Sequence, residues 1–379
     1  MKMEKELEQY LTASMTKLVK DVLKSTLKNP KETAFLIKST KNMEIMHQRR
    51  KDMGDRGNNI PGFLIASITN ACNLFCSGCY ARANGMCNDD EAEVLLTAED
   101  WESIFSQSAK VGIAFILLAG GEPLLRKDVI KTAAKFKEIV FPVFTNGTIL
   151  DDDYLRFFDE NRNMVPILSL EGNHKETDER RGKGVYQRLY HSMSGLKTNK
   201  ILFAASLTVT TENIDKITAV EFIENLQNHG CRGVLFIEYV AVDGKSQTLE
   251  IDEKNREKLA KCQESLRKKF PAMVFISFPG DEKQMGGCLA AGRGFFHISP
   301  QGNAEACPFS PFADCNLKEV SLLEALKSPF FDMLRQKHLV GGEHSGGCAL
   351  FQREAEVKEC LKVAKLNKTL EVEHDLQKS

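Results

Sequence analysis

Three cysteines, Cys72, Cys76 and Cys79, stand in a C-x3-C-x2-C spacing directly after an apolar run. Thiolates so placed hold iron–sulfur clusters or zinc. A closed four-iron cubane needs four ligands, so three local cysteines leave one iron open to bind a substrate or a cofactor. A zinc site is the other reading of the same triplet. A second group, Cys288, Cys307, Cys315 and Cys348, shares the last quarter of the chain. Four thiolates suffice for one closed [4Fe–4S] cluster or for one structural zinc.

Composition narrows the setting. At 379 residues the chain is long enough for one large domain plus a smaller one around a sizeable core. Lys and Arg number 51 against 52 Asp and Glu, so charge makes no case for nucleic acid or an anionic membrane. The eleven cysteines, with no secretory signal and no apolar run of about 18 residues or more, predict reduced thiols in a cytoplasmic protein. Exposed clusters would make it oxygen-sensitive.

The elements that must carry these cysteines read as α/β. From Phe63 onward, short apolar β-branched runs at 63–69, 113–119, 140–145, 166–170, 202–209 and 234–240 alternate with helical patterns at 98–110, 127–138, 151–161, 185–199, 214–229 and 252–270. Six β-α units predict a parallel sheet with right-handed crossovers, too few to close an eight-stranded barrel. Active-site residues of such barrels lie at the C-terminal ends of strands. The first strand runs into the cysteine loop. The second ends in Gly120-Gly121-Glu122-Pro123, the third in Thr145-Asn146-Gly147-Thr148, the fourth in Ser169-Leu170-Glu171-Gly172. Adjacent glycines let backbone approach a ligand closely, and Glu122 adds an acceptor for an amine. Ser206, Thr208, Glu238 and Tyr239, near the ends of the last two strands, are further candidates.

On these residues the chain resembles the radical S-adenosylmethionine (SAM) enzymes, whose signature is this C-x3-C-x2-C. The resemblance implies a partial (β/α)6 TIM barrel. It also implies a SAM-binding [4Fe–4S] cluster on Cys72, Cys76 and Cys79, whose open iron chelates the amino and carboxylate groups of SAM. Reductive cleavage then yields methionine and a 5′-deoxyadenosyl radical. Gly120, Gly121 and Glu122 match the G-G-E-P motif that binds the methionine amino group. Ser169 and Glu171 match a segment near the ribose and carboxylate of SAM. Asp178 to Tyr186 is similar to a D-x-x-R-G-x-G-x-[FY] run in which Arg181 fits a clamp for a carboxylate; its plainer reading is a solvated loop arginine. One position departs from the pattern: the residue before the third cysteine is usually aromatic, and here it is Gly78, which makes Tyr80 a substitute against the adenine.

Past Pro279-Gly280 the β-α alternation stops and glycines become dense, predicting a small C-terminal domain over 279–352 after a barrel at 61–278. A hairpin around Pro300-Gln301-Gly302-Asn303 brings Cys288 and Cys307 to one end. With Gly302-x4-Cys307 this region resembles the SPASM and twitch extensions, and it implies one auxiliary [4Fe–4S] cluster on Cys288, Cys307, Cys315 and Cys348. His297, His338 and His344 are weaker candidates for this second site whose plainer reading is ordinary surface or core, and Cys231, Cys262 and Cys360 read as small apolar packing residues. Cys87 is either packing or a thiol near the active site. Residues 1–60 predict an amphipathic helix at 4–28, a second helix at 31–53 and a glycine-rich linker; 353–379 predict a terminal helix and tail.

The family implies a reductant such as ferredoxin or flavodoxin, and a small-molecule or peptide substrate. Its members with such extensions mature ribosomal peptides, activate sulfatases, build molybdenum cofactor or modify tetrapyrroles. Two other classes stay open: a non-enzymatic Fe–S electron carrier, and a zinc-stabilised binding protein using residues 4–53.

Overall fold

The computed structural model describes residues 30–87, 94–279, 286–341 and 347–376; the helix expected at 4–28 and the candidate His344 lie outside them. One nine-stranded sheet organises these residues, in the order β7-β6-β5-β4-β3-β2-β1-β8-β9. Its strands are β1 Phe63–Ser67, β2 Phe115–Ala119, β3 Phe141–Thr145, β4 Met164–Leu170, β5 Ala204–Val209, β6 Gly233–Glu238, β7 Val274–Phe278, β8 His297–Ile298 and β9 Ala304–Glu305. Strands β1 to β7 run parallel in sequence order, the arrangement of an open α/β barrel. All six expected strands are present, and their shared direction puts the ends of β1 to β6 on one rim.

The expectation differs from the structure at both ends of the sheet. A seventh parallel strand, β7, pairs with β6 from Gly233↔Val274 to Ile237↔Phe278. The C-terminal hairpin does not stand apart from the barrel: β8 pairs parallel with β1 at Ile65↔His297 and Ala66↔Ile298, and β9 folds back antiparallel on β8. Phe63 and Phe295 stack across that seam with ring centroids 5.1 Å apart. The second cysteine region is therefore an extension of the barrel sheet beyond its first strand.

Helices cover the sheet where the periodicity placed them, with one addition and one break. His174–Arg181 is helical, capped by a reciprocal Asn173–Glu176 box, so the arginine run expected in a loop ends a helix. The expected helix at 214–229 is split into Ile214–Ile217 and Val220–Asn228. The helix at 31–53 is found as Pro30–Asp55, with proline at a first-turn position that lacks an intrahelical N–H partner anyway. It packs on the helix Ala98–Val111; the Arg50 guanidinium reaches the Gly112 carbonyl, and buried Glu32 pairs with Arg162. At the other end, Glu354–Leu376 packs on Pro329–Gln336. No helix among the described residues is long and apolar enough to cross a membrane.

Candidate active site and cysteine groups

The cysteine loop leaves β1 and is gripped at once by the end of β2. The Gly121 N–H donates to the Thr69 carbonyl and the Glu122 N–H to the Ala71 carbonyl, each at 2.9 Å. A Cβ on Gly120, whose φ is +117°, would lie 2.3 Å from the Thr69 oxygen, and one on Gly121 would lie 2.0 Å from the Ala71 oxygen. The close approach that needs these glycines is thus to the cysteine loop itself, where sequence reasoning expected a ligand. The motif fixes the loop on which Cys72, Cys76 and Cys79 sit.

Glu122 is buried. Its Oε1 accepts from Thr145 Oγ1 at 2.7 Å and from the Leu124 N–H at 3.1 Å, and its Oε2 accepts from the Asn146 N–H at 2.7 Å. Burial raises this carboxyl above the ordinary carboxylate range, against the pull of those donors. A carboxylate offers about four acceptor positions, so three donors leave room on Oε2 for one cationic donor.

The end of β3 holds the loop from a third side. Asn146 donates to Asn73 Oδ1 and Asn73 donates to Thr148 Oγ1, both at 2.8 Å. Arg82, just past the loop, donates back to the carbonyls of Cys72 and Leu74 and covers the Phe75 ring.

From β4 comes Glu171, buried, with two arginines on one oxygen. Its Oε1 accepts from Arg181 Nε at 2.9 Å and Nη2 at 2.5 Å, and lies 2.6 Å from Arg180 Nη1. Its Oε2 is buried with no hydrogen-bond partner. Arg181 Nη1 lies 4.0 Å from Cys76 Sγ. Arg180 also donates to the Ser77 carbonyl and, at 2.5 Å, to Thr208 Oγ1. Arg181, expected as a clamp for a ligand carboxylate, therefore finds a carboxylate in its own chain. Ser169 is half-buried on β4, in register with Ser206 of β5.

At the departing position, Gly78 adopts φ +65°, and a Cβ there would lie 2.4 Å from the Tyr239 hydroxyl. That tyrosine follows β6, hydrogen-bonds Ser246 at 2.7 Å and lies under the Arg180 guanidinium. Tyr80 meets the Phe309 ring edge-on at 5.0 Å, and burial, then the nearness of Cys79, Cys307 and Cys87, raises its phenol. The aromatic that reaches the cysteine loop at Gly78 is Tyr239.

Of the second group, Cys288, Cys307 and Cys348 gather. The Cys307 thiol is held well above its ordinary range, first by its hydrogen bond with Cys348, then by burial and the nearness of Cys288. Cys315 keeps other company: burial and Asp314 push it up to about 12, with Lys368 and Glu319 nearby. Glu238, paired with Arg256 at 2.9 Å, reaches the Gly347 N–H beside Cys348 at 3.5 Å and so ties the end of β6 to this group. Among the described residues no three His, Cys, Asp or Glu side chains converge as one metal ion would require. Thiolates on separate irons of a cubane stand further apart than ligands of a single zinc. Cys87, Cys231 and Cys360 are buried, and Cys231 donates to the Gly233 carbonyl.

Sequence reasoning missed Asn73, Arg82 and Arg180, and it treated His297 as ordinary core. Arg180 sits in the same run as Arg181 and was findable. Asn73 and His297 act through partners distant in sequence.

The chain thus presents an open parallel barrel with a three-cysteine loop on its C-terminal rim. Residues 66–247, just under half of the chain, match the profile of the Radical SAM superfamily, so this stretch is a Radical SAM domain. It is 29% identical over 160 residues to the Fe-coproporphyrin III synthase of Methanosarcina barkeri, covering 41% of this chain and 39% of that protein. It is 30% identical over 168 residues to the sporulation killing factor maturation protein SkfB of Bacillus subtilis, covering 43% and 39%. The chain thus spans about two fifths of the length of these relatives. The crystal structure of Streptococcus suis SuiB bound to precursor peptide SuiA shares the fold, with a TM-score of 0.64 and 18% identity over 80% of this chain and 75% of that one. The superfamily uses a [4Fe–4S] cluster and SAM, and SPASM-type members carry auxiliary clusters.

Proposed function

We propose that this protein is a radical SAM enzyme that cleaves SAM reductively and takes a hydrogen atom from a substrate. The observation that carries the reading is the orphaned, buried Glu171 Oε2, held beside Cys76 by two arginines. A buried acceptor with no donor is costly unless a ligand supplies one. The residues fit the family's groups: three thiolates on one fixed loop, Glu122 with an acceptor position to spare, and Glu171 with an oxygen awaiting a hydroxyl or an N–H.

A [4Fe–4S] cluster held by Cys72, Cys76 and Cys79 would supply the one-electron reduction that SAM cleavage requires. The chain's own residues bind and orient. Cys72, Cys76 and Cys79 hold the cluster. Glu122 accepts from the methionine ammonium, with Thr145, Asn146 and Leu124 fixing its carboxylate. Glu171 Oε2 accepts from a ribose hydroxyl, while Arg180 and Arg181 hold its other oxygen and keep a positive charge beside the Cys76 thiolate. Gly120 and Gly121 shape the wall between these groups.

Cys288, Cys307 and Cys348 hold one auxiliary cluster, at which Cys315 is not required. A low-potential carrier such as ferredoxin or flavodoxin supplies electrons, in a cytoplasmic setting. The substrate is a peptide or a tetrapyrrole-like cofactor precursor, classes supported by the maturation-protein and porphyrin-synthase relatives. Deuterium transfer from labelled candidate peptides and porphyrins into 5′-deoxyadenosine tests this; incorporation from neither class would remove both.

A further inference from the structure

A buried polar chain joins the two cysteine groups, and the proposed reaction does not use it. Ser67, the last residue of β1, places its Oγ 2.8 Å from His297 Nε2, and His297 Nδ1 lies 2.7 Å from Glu305 Oε2. All three are buried, Ser67 and His297 at 0% exposure. Apolar side chains would fill this seam without the penalty of burying a carboxylate and an imidazole. Each member has a defined attachment. Ser67 precedes the Cys72 loop by a few residues and lies against Gly120, whose added Cβ would come within 3.3 Å of the Ser67 Cα. His297 lies on β8 and Glu305 on β9, two residues before Cys307.

A second clamp runs parallel to the first. The segment after Cys79 meets the turn after Cys307 through the Tyr80–Phe309 ring contact and through Asn84 Nδ2, which donates to the Pro308 carbonyl at 3.0 Å. The strand entering one cysteine group and the segment leaving it are therefore both fixed to the flanks of Cys307.

We infer that His297 is a positioning residue that couples the two cysteine groups, through Ser67 to the first and through Glu305 to the second, so that the electronic environment of each cluster depends on this imidazole. The inference rests on the reading that both groups hold clusters. A planar ring bonded at both nitrogens fixes direction as well as distance, which an apolar filler cannot do. Coupling of this kind is reciprocal and shows as non-additivity between its members.

The test uses the full chain, reconstituted anaerobically, with iron content, electron paramagnetic resonance spectra and midpoint potentials recorded for wild type, His297→Phe, His297→Gln, Ser67→Ala and the His297→Phe/Ser67→Ala double variant. The expected result is unchanged iron content with shifted spectra and potentials in His297→Phe. His297→Gln, which keeps a donor and an acceptor, should restore most of the shift, and the double variant should shift less than the sum of the singles. Wild-type spectra and potentials in every variant, with only the melting temperature lowered, would overturn the inference and leave His297 a packing residue. Where His297→Phe does not fold, Ser67→Ala and His297→Gln decide in the same way. A wild-type protein holding the first cluster alone would remove this coupling but not SAM cleavage; one holding neither would remove both.

Discussion

The Asn146 side chain donates to Asn73 Oδ1 at 2.8 Å, joining the end of the third strand to a residue that lies between the first two cysteines. Asn146 also accepts from the backbone and hydroxyl of Thr148, to which Asn73 donates in turn. A closed ring of side-chain hydrogen bonds therefore braces the loop, next to the Asn146 N–H that donates to Glu122.

Asn146→Ala breaks that ring. A hydrogen bond is worth about 0.5–1.5 kcal/mol net, and more where a buried partner is left unsatisfied. The variant should lose about 1–2 kcal/mol of stability and release iron faster under oxygen, while retaining fold by circular dichroism. Thermal melts and the decay of cluster absorbance measure the two effects.

Glu171→Gln keeps shape but removes the charge that two arginines face. Breaking a part-buried ion pair by removing one partner costs about 3 kcal/mol or more. SAM affinity should fall about tenfold or further, since about 1.4 kcal/mol is a factor of ten, with cluster content unchanged. Equilibrium binding to the reconstituted protein checks this; wild-type affinity would remove Glu171 from the SAM pocket.

Gly121→Ala sets a methyl against the Ala71 carbonyl oxygen, which is backbone and cannot swing aside. Iron loading at the first site should drop severely. Gly54→Ala, where nothing lies within 4 Å of the added carbon, is the matched control and should be neutral or slightly stabilising.

The second site separates its cysteines. Cys307→Ala and Cys348→Ala should each remove about four irons per chain, the content of one cubane, whereas Cys315→Ala should remove none. Iron assay with Mössbauer quantification measures this, and equal loss in all three would restore Cys315 to the ligand set.

The barrel was legible because its strands are apolar, β-branched and separated by amphipathic helices, and because the motifs fall at strand ends where a parallel sheet collects them. β7 escaped: Val274–Phe278 is a five-residue strand directly after a long helix, and a composition change next to it drew the domain boundary. What sequence could not hold was pairing at a distance. Gly78 read as a gap in a pattern until Tyr239 appeared against it from another strand. Ser67 and His297 are 230 residues apart, and no spacing rule joins them. Arg181 stood out in the sequence, yet its partner Glu171 and neighbour Cys76 emerge only once the helix His174–Arg181 is packed.

The central claim is SAM cleavage at the first cysteine group. The direct measurement is 5′-deoxyadenosine formed when the anaerobically reconstituted protein meets SAM and dithionite, beside Cys76→Ala. Product from the wild type and none from the variant is the predicted result. Tight zinc without iron, or a four-iron cluster that yields no 5′-deoxyadenosine even with candidate peptides and porphyrins present, would contradict it.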